Sequence, residues 1–279
     1  MTLADERVRS EGAAAVHGSI ILAETQTGGI GRRGRSWLSP PTGNLYFSLL
    51  WAPLLATAAS SSTAADPTVL LPHLSQLNLA ASVAVVKAAA AAGIPTAQIK
   101  WPNDVWASVP SPSLPPSSPA RVPKKMSGTI LNFDGKEAAV LGVGINVLQD
   151  LAANETATSL TSLREQIVGP DVQPPPVTRE DVLASFCNEL ERLMGLSAAA
   201  VLDEYRQHDL LRGRTIRVHH RTREEDDPRD FDAEALGVNA DGMLRVRPTG
   251  GGPERALSGE EVSISPNLQE GQDGACETS

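Results

Sequence analysis

The chain has 279 residues, 41% of them hydrophobic, and a formal net charge of −9. That length can bury roughly three quarters of the surface its unfolded form exposes, enough for a core and a small second domain. The acidic balance excludes a general nucleic-acid binder, whose affinity needs a broad basic surface. Cys187 and Cys276 match no zinc spacing, and no apolar run approaches the roughly 18 residues of a membrane span or forms a secretory signal. A cytoplasmic protein with free thiols is expected.

After a polar opening that can be helical, Gly18–Glu24 reads as a buried strand. The run Gly28-Gly29-Ile30-Gly31-Arg32-Arg33-Gly34-Arg35 follows it directly. Asn44–Trp51, rich in aromatic and branched residues, is the next strand. Residues 53–67 are too poor in large apolar groups to pack and predict a flexible insertion. Leu74, Leu77, Ala81, Val85 and Ala88 recur at helical spacing, and Gly93 with Pro95 supplies the stop.

The proline- and serine-rich stretch 109–123 predicts an exposed loop between strands. Lys125–Phe133 and Ala138–Val147 are the next strands, the second apolar enough to be central. Thr178, with Asp181 three residues on, predicts a capped helix carrying Val182, Phe186, Leu190 and Leu193. A second helix is expected over Ala198–His208. Beyond Gly213 come the short strands Thr215–His219, Ala233–Val238, Met243–Arg247, Arg255–Leu257 and Val262–Ile264. A hairpin turn falls at Asn239–Gly242, so this part predicts a small β-barrel-like module before a disordered acidic tail at 267–279.

Several strings carry chemistry. Arginines among glycines let guanidinium groups and backbone N–H donors close on phosphate oxygens, with Arg32 and Arg35 facing one way and Arg33 facing solvent. The match of Gly29, Gly31 and Gly34 to a dinucleotide fingerprint is discounted, because Ser36-Trp37-Leu38-Ser39-Pro40-Pro41 cannot open the helix that motif needs. In Lys100-Trp101-Pro102-Asn103-Asp104 the proline holds an amide and a carboxylate in turn geometry, suited to magnesium and phosphate. An ordinary turn is the plain alternative. Gly142-Val143-Gly144-Ile145-Asn146 lets a ligand approach backbone closely. Lys125, near Ser127 and Gly128, places a cation at a strand start, where exclusion of water strengthens it.

Taken in order, GGIGRRGRSW, NLYFSLLW, KWPNDVW, KKMSGTIL, GVGINV and ATSL at 157–160 resemble the biotin protein ligases, strongly over Glu24–Asn146 and more weakly to Ser265. The resemblance implies an α/β (α+β) fold: a mixed β-sheet flanked by helices, class II synthetase-like, in a catalytic domain over 1–210. A small SH3-like β-barrel domain would follow over 211–266. It implies that biotin and MgATP (ATP with Mg2+) give biotinyl-5′-AMP and pyrophosphate, and that a lysine of a biotin carboxyl carrier domain then takes the biotin. By match, Gln26, Gly29, Arg32, Trp37, Lys125 and Gly128 would line the biotin site. Arg32, Arg35, Asn103 and Asn146 would bind nucleotide, with Asp104 and Asn103 at magnesium. Arg32 and Lys125 are the expected catalytic cations.

Two departures stand out. Ile30 replaces a customary arginine, and a Ser/Thr-Thr-Asn-like strand expected before the first helix has only Thr2 as a candidate, so either an N-terminally truncated chain or a reduced biotin affinity is expected. A degenerate biotin or adenylate binder with little turnover and a lipoate-type ligase are the alternatives; a nucleic-acid module and a membrane role are not expected.

Overall fold

The computed structural model describes residues 2–39, 43–52, 67–110, 121–133, 138–149, 151, 156–168, 175–220, 227–259 and 263–266. The expected insertion at 53–67 lies almost wholly outside these, and the expected tail at 267–279 entirely so. Two helices, α1 (Thr2–Glu11) and α2 (Ala13–Val16), precede β1 (Ile20–Ala23) and β2 (Leu45–Trp51). The long helix α3 (Pro67–Ala91) leads to β3 (Gln98–Lys100), β4 (Asp104–Pro110), β5 (Arg121–Phe133) and β6 (Ala139–Ile145). These strands form one six-stranded sheet in the order β1-β2-β6-β5-β4-β3, every ladder antiparallel.

Three helices follow: α4 (Leu160–Val168), α5 (Arg179–Met194) and α6 (Ala198–Gln207). The second sheet, antiparallel in the order β10-β9-β8-β7-β11, is built from β7 (Thr215–His219), β8 (Phe231–Val238), β9 (Leu244–Pro248), β10 (Arg255–Leu257) and β11 (Ser263–Pro266). It is the expected C-terminal sheet domain. Its turn at Asn239 closes with Asn239 N–H donating to the Met243 carbonyl at 3.0 Å, and Gly242 takes φ 79°.

Sequence explains the long helix. Small residues such as Ala80, Ala81, Ala84 and Ala88 are nearly fully buried, so α3 lies close on the sheet beneath α5 and α6. Gly93, at φ 91°, ends it: the Ile94 N–H returns to the Ala89 carbonyl at 2.9 Å, a left-handed cap. Helix α5 opens as expected, Thr178 Oγ1 accepting from the Asp181 N–H at 3.1 Å. Phe186 on α5 meets Phe47 on β2 edge-on, ring centroids 5.1 Å apart. Each such fully buried side chain contributes about 1.5–3 kcal/mol. One apolar core runs from this layer into Ile216, Val218 and Val246 of the C-terminal sheet.

Four expectations change. The Gly18–Glu24 run is an edge strand, not a buried one: among the described residues β1 pairs only with β2, and Leu22 is 55% exposed. Of the expected loop at 109–123, residues 111–120 lie outside the described residues. At its ends Pro110 pairs with Arg121 and Val109 is buried. Pro123 is tolerated there because the β6 ladder begins only at Ser127, so its missing N–H forfeits no bond on that side. Segment His73–Ala91 does reach the length and apolar composition of a membrane span, because alanines fill it. Most of that segment is buried in this core. Helix α4 was not expected at all.

Candidate functional site

The glycine/arginine run is a closed hairpin. Trp37 N–H donates to the Gly29 carbonyl at 2.8 Å and Gly31 N–H to the Arg35 carbonyl at 2.7 Å, with a bridge between Ile30 and Ser36. Its stems are joined where Thr25 Oγ1 donates to the Ser39 carbonyl at 2.7 Å. A Cβ on Gly29 would stand 2.5 Å from the Trp37 carbonyl oxygen, so only glycine fits. The tip, Arg32–Gly34, is a short 3-10 turn.

Trp37 comes down on the sheet. Gly128 of β5 and Gly144 of β6 are cross-strand partners. A Cβ on Gly144 would lie 2.8 Å from the Trp37 ring, and one on Gly128 3.1 Å from it. The two glycines thus form a flat floor beneath a planar group. The Lys125 ammonium stands 4.9 Å from the indole centroid, and Trp37 Nε1 is buried without a hydrogen-bond partner. A polar donor sealed in this way is costly unless a ligand or water meets it.

Lys125 is aimed here by an irregularity. Trp106 pairs with Lys125 whereas Val105 pairs with Ser127, so Met126 is an extra residue in β5. On its other side Lys125 N–H donates to the Thr156 carbonyl, and Thr158 N–H to the Lys125 carbonyl, both at 2.9 Å. Lys125 Nζ lies 2.6 Å from Asp104 Oδ1. Burial pushes the Asp104 carboxyl upward, but Lys125, Lys100 and Arg32 together outweigh it and leave the group below the usual carboxylate range. Asp104 is therefore ionised at neutral pH.

Asn103 bridges the two halves of the site. Its Oδ1 accepts from Arg32 Nη1 at 3.4 Å, and its Nδ2 donates to the Thr129 carbonyl. Thr129 N–H returns to the Asn103 carbonyl at 3.0 Å. The peptide bond Trp101–Pro102 is cis. Trp101 itself is buried away from this cluster and donates Nε1 to the Gly242 carbonyl, 2.9 Å off in the C-terminal sheet.

Arg32, Trp37, Asn103, Asp104, Lys125 and Gly128 thus meet in one place, with Gly29 at the hairpin stem. Gln26 is half-buried ahead of the loop, and Arg35 is exposed. Arg33 is exposed as expected, yet its Nη2 also donates to the His220 carbonyl at 3.1 Å. Asn146 is buried, its Nδ2 donating to the Thr158 carbonyl at 3.1 Å and its Oδ1 accepting from Asn44 Nδ2 at 3.4 Å. Two contributors were not assigned from sequence. Gly144 was read only as permitting close approach, and Lys100, buried at 4% exposure, is a second cation acting on Asp104. A lysine pairing across a turn with a carboxylate was the available signal.

A cavity of about 650 Å³ lies elsewhere, on the C-terminal sheet between His220, Phe231, Asp232 and Arg255. The glycine floor is not lined by that cavity, since Trp37 fills it.

Comparison with known proteins fits this geometry. Residues 1–146 match the model of the biotin/lipoate A/B protein ligase family. A biotin–[acetyl-CoA-carboxylase] ligase of Mycobacterium tuberculosis is 30% identical over 224 residues, covering 78% of this chain and 70% of that protein. The bifunctional ligase/repressor BirA of Escherichia coli is 29% identical over 134 residues, 47% of this chain, which spans only 33% of that relative. Among solved structures, a biotin protein ligase from Aquifex aeolicus in complex with biotin and ATP superposes with a TM-score of 0.64, covering 94% of each chain. At 22% identity that likeness establishes the fold.

Proposed function

The chain belongs to the biotin/lipoate A/B protein ligase family, and from that premise we propose that it is an ATP-dependent biotin–protein ligase. The observation that carries the reading is the convergence of Arg32, Asn103, Asp104 and Lys125 beside a glycine floor, with Asn103 linking the arginine to the sheet. Two anions, a carboxylate and a triphosphate, must be brought together, and cations fixed in advance lower the barrier to that approach.

In the first step a carboxylate oxygen of biotin bonds to the α-phosphorus of ATP while the bond to pyrophosphate breaks, giving biotinyl-5′-AMP. Lys125 holds the carboxylate, and Arg32 balances charge on the phosphate. Gly128 and Gly144 seat Trp37 flat on the sheet as one wall of the biotin site, with Gln26 and Gly29 at its edge. Arg35 and Asn103 serve the nucleotide, and Asn146 shapes the strand end beside it. Magnesium entering as MgATP supplies a Lewis-acidic charge on the phosphates. The ionised Asp104 suits it as a hard oxygen donor with Asn103 next to it, a sparse set of the kind that leaves most positions to phosphate and water. In the second step a carrier-domain lysine amine attacks the acyl carbon, AMP leaves, and the amine proton passes to solvent. The acceptor is the biotin carboxyl carrier domain of a carboxylase, as the name of the mycobacterial relative suggests.

Pyrophosphate exchange into ATP, measured with biotin, with lipoate and with neither, tests this. Exchange with biotin supports it; exchange with lipoate alone overturns it in favour of a lipoate-type ligase. Tight biotin binding without exchange overturns it in favour of a degenerate binder, the reading that Ile30 motivates.

A further inference from the structure

The tip of the glycine/arginine loop holds a conformation its sequence does not favour. Arg33 has φ 59° and ψ 31°, and among the described residues it is the only non-glycine in the left-handed region. An L-residue stays there only where its surroundings over-determine it. Glycine or asparagine would serve the turn at least as well, so the turn alone gives no reason for arginine.

The side chain supplies the reason, because it reaches the other sheet. Arg33 Nη2 donates to the carbonyl of His220, the residue after β7. His220 sits on a fixed support: its N–H donates to Asp230 Oδ1 at 2.9 Å, and His219 Nδ1 lies 3.1 Å from Asp230 Oδ2. One residue earlier, Arg32 Nη2 lies 2.6 Å from where a Cβ on Gly259 would stand. Two adjacent loop arginines therefore meet the C-terminal sheet domain, one by donating a hydrogen bond and one by an approach that a side chain at 259 would push aside.

We infer that the C-terminal sheet domain is a clasp on the loop, with Arg33, His220 and Gly259 as positioning residues that hold Arg32 over the acyl-adenylate. The role of the held arginine rests on the ligase reading above; the clasp itself does not. Arg33 acts through its neighbour and touches no reacting atom. The sheet is docked separately by Trp101 Nε1 on the Gly242 carbonyl at 2.9 Å and by Arg206 Nη2 on the Val238 carbonyl at 3.1 Å. Loss of the Arg33 contact frees the loop and leaves the domain in place.

The test compares wild type with Arg33→Asn, which accepts the left-handed turn but cannot reach His220, with Arg33→Lys, and with Gly259→Ala. Release of preformed biotinyl-5′-AMP is expected to quicken about tenfold in Arg33→Asn, the effect of one charge-assisted hydrogen bond. Arg33→Lys should restore part of the loss, and Gly259→Ala should release faster by displacing Arg32. Amide hydrogen exchange needs no ligand: it should quicken over residues 30–36 in Arg33→Asn and stay unchanged in β7 to β9. Unchanged release and unchanged exchange over 30–36 overturn the clasp. A wild type that makes no adenylate from biotin ends the ligase reading, and the exchange result then decides the clasp alone.

Discussion

Lys125 and Asp104 hold each other, Nζ to Oδ1 at 2.6 Å, beside the indole of Trp37 and at the edge of the Gly128–Gly144 floor. A substrate carboxylate entering this site meets an ammonium whose position is already fixed, which is what preorganisation requires. Lys125→Gln keeps a donor and removes the charge, and should slow biotin-dependent pyrophosphate exchange about a hundredfold, the usual loss when one such transition-state contact is deleted. Exchange at the wild-type rate would take Lys125 out of the chemistry.

The glycine floor has its own consequence. In most strands glycine to alanine is tolerated, but a Cβ on Gly144 would sit 2.8 Å from the Trp37 ring. Gly144→Ala should lose about 1–3 kcal/mol by overpacking. In a Trp37→Ala background the same substitution should be nearly neutral, since the clashing ring is gone. Urea unfolding of the four chains in the cycle measures this; equal losses in both backgrounds would show that Trp37 does not lie on Gly144.

Asp209 gives a pH-dependent prediction. Burial raises its carboxyl, a rise that its hydrogen bonds with the Leu211 and Arg212 backbone and the charge of Arg212 only partly offset, and Oδ2 has no hydrogen-bond partner. An acid whose folded pKa lies above its unfolded value binds more protons folded than unfolded, so stability falls as pH rises through that interval. Asp209→Asn keeps the acceptor for Leu211 N–H and removes the ionisation. It should therefore raise stability above the raised folded value by about 1 kcal/mol, the gain fading to nothing below the ordinary aspartate range. Thermal melts from pH 3.5 to 8 that show a constant offset would refute the burial argument.

Trp101 separates docking from catalysis. Although it belongs to the KWPND string, its indole N–H goes to the Gly242 carbonyl in the C-terminal sheet. Trp101→Phe should cost about 1 kcal/mol of stability from the lost bond and its unpaired acceptor. Biotin affinity should be unchanged. A selective loss of biotin binding would place Trp101 nearer the ligand than its contact with Gly242 implies.

Much of this was legible because spacing carries local geometry. The Thr178 cap, the Gly93 stop and the Asn239–Gly242 turn each depend on a few adjacent residues, and each formed as expected. The order of the glycine, KWPND and lysine strings foretold a shared site, because strand ends in one sheet bring distant segments together. Long-range pairings were not legible. Nothing near Arg33 in sequence points to His220, 187 residues on, and nothing in the Gly18–Glu24 run states that its strand has one neighbour instead of two. Prolines at 110 and 123 suggested a loop throughout, whereas a one-sided ladder lets β4 run as far as Pro110 and β5 run through Pro123. Helix α4 was missed because its few buried residues, Leu160, Ser162 and Leu163, make too short an apolar stripe to detect by period.

The claim that a guanidinium from the hairpin and an ammonium from β5 serve one acyl-phosphate centre is tested most directly by biotin-dependent pyrophosphate exchange in wild type and Arg32→Gly. Deleting the guanidinium should slow exchange by about a hundredfold and let the adenylate escape into solution, while the wild type retains it. Identical exchange and identical retention in the two chains would contradict the account.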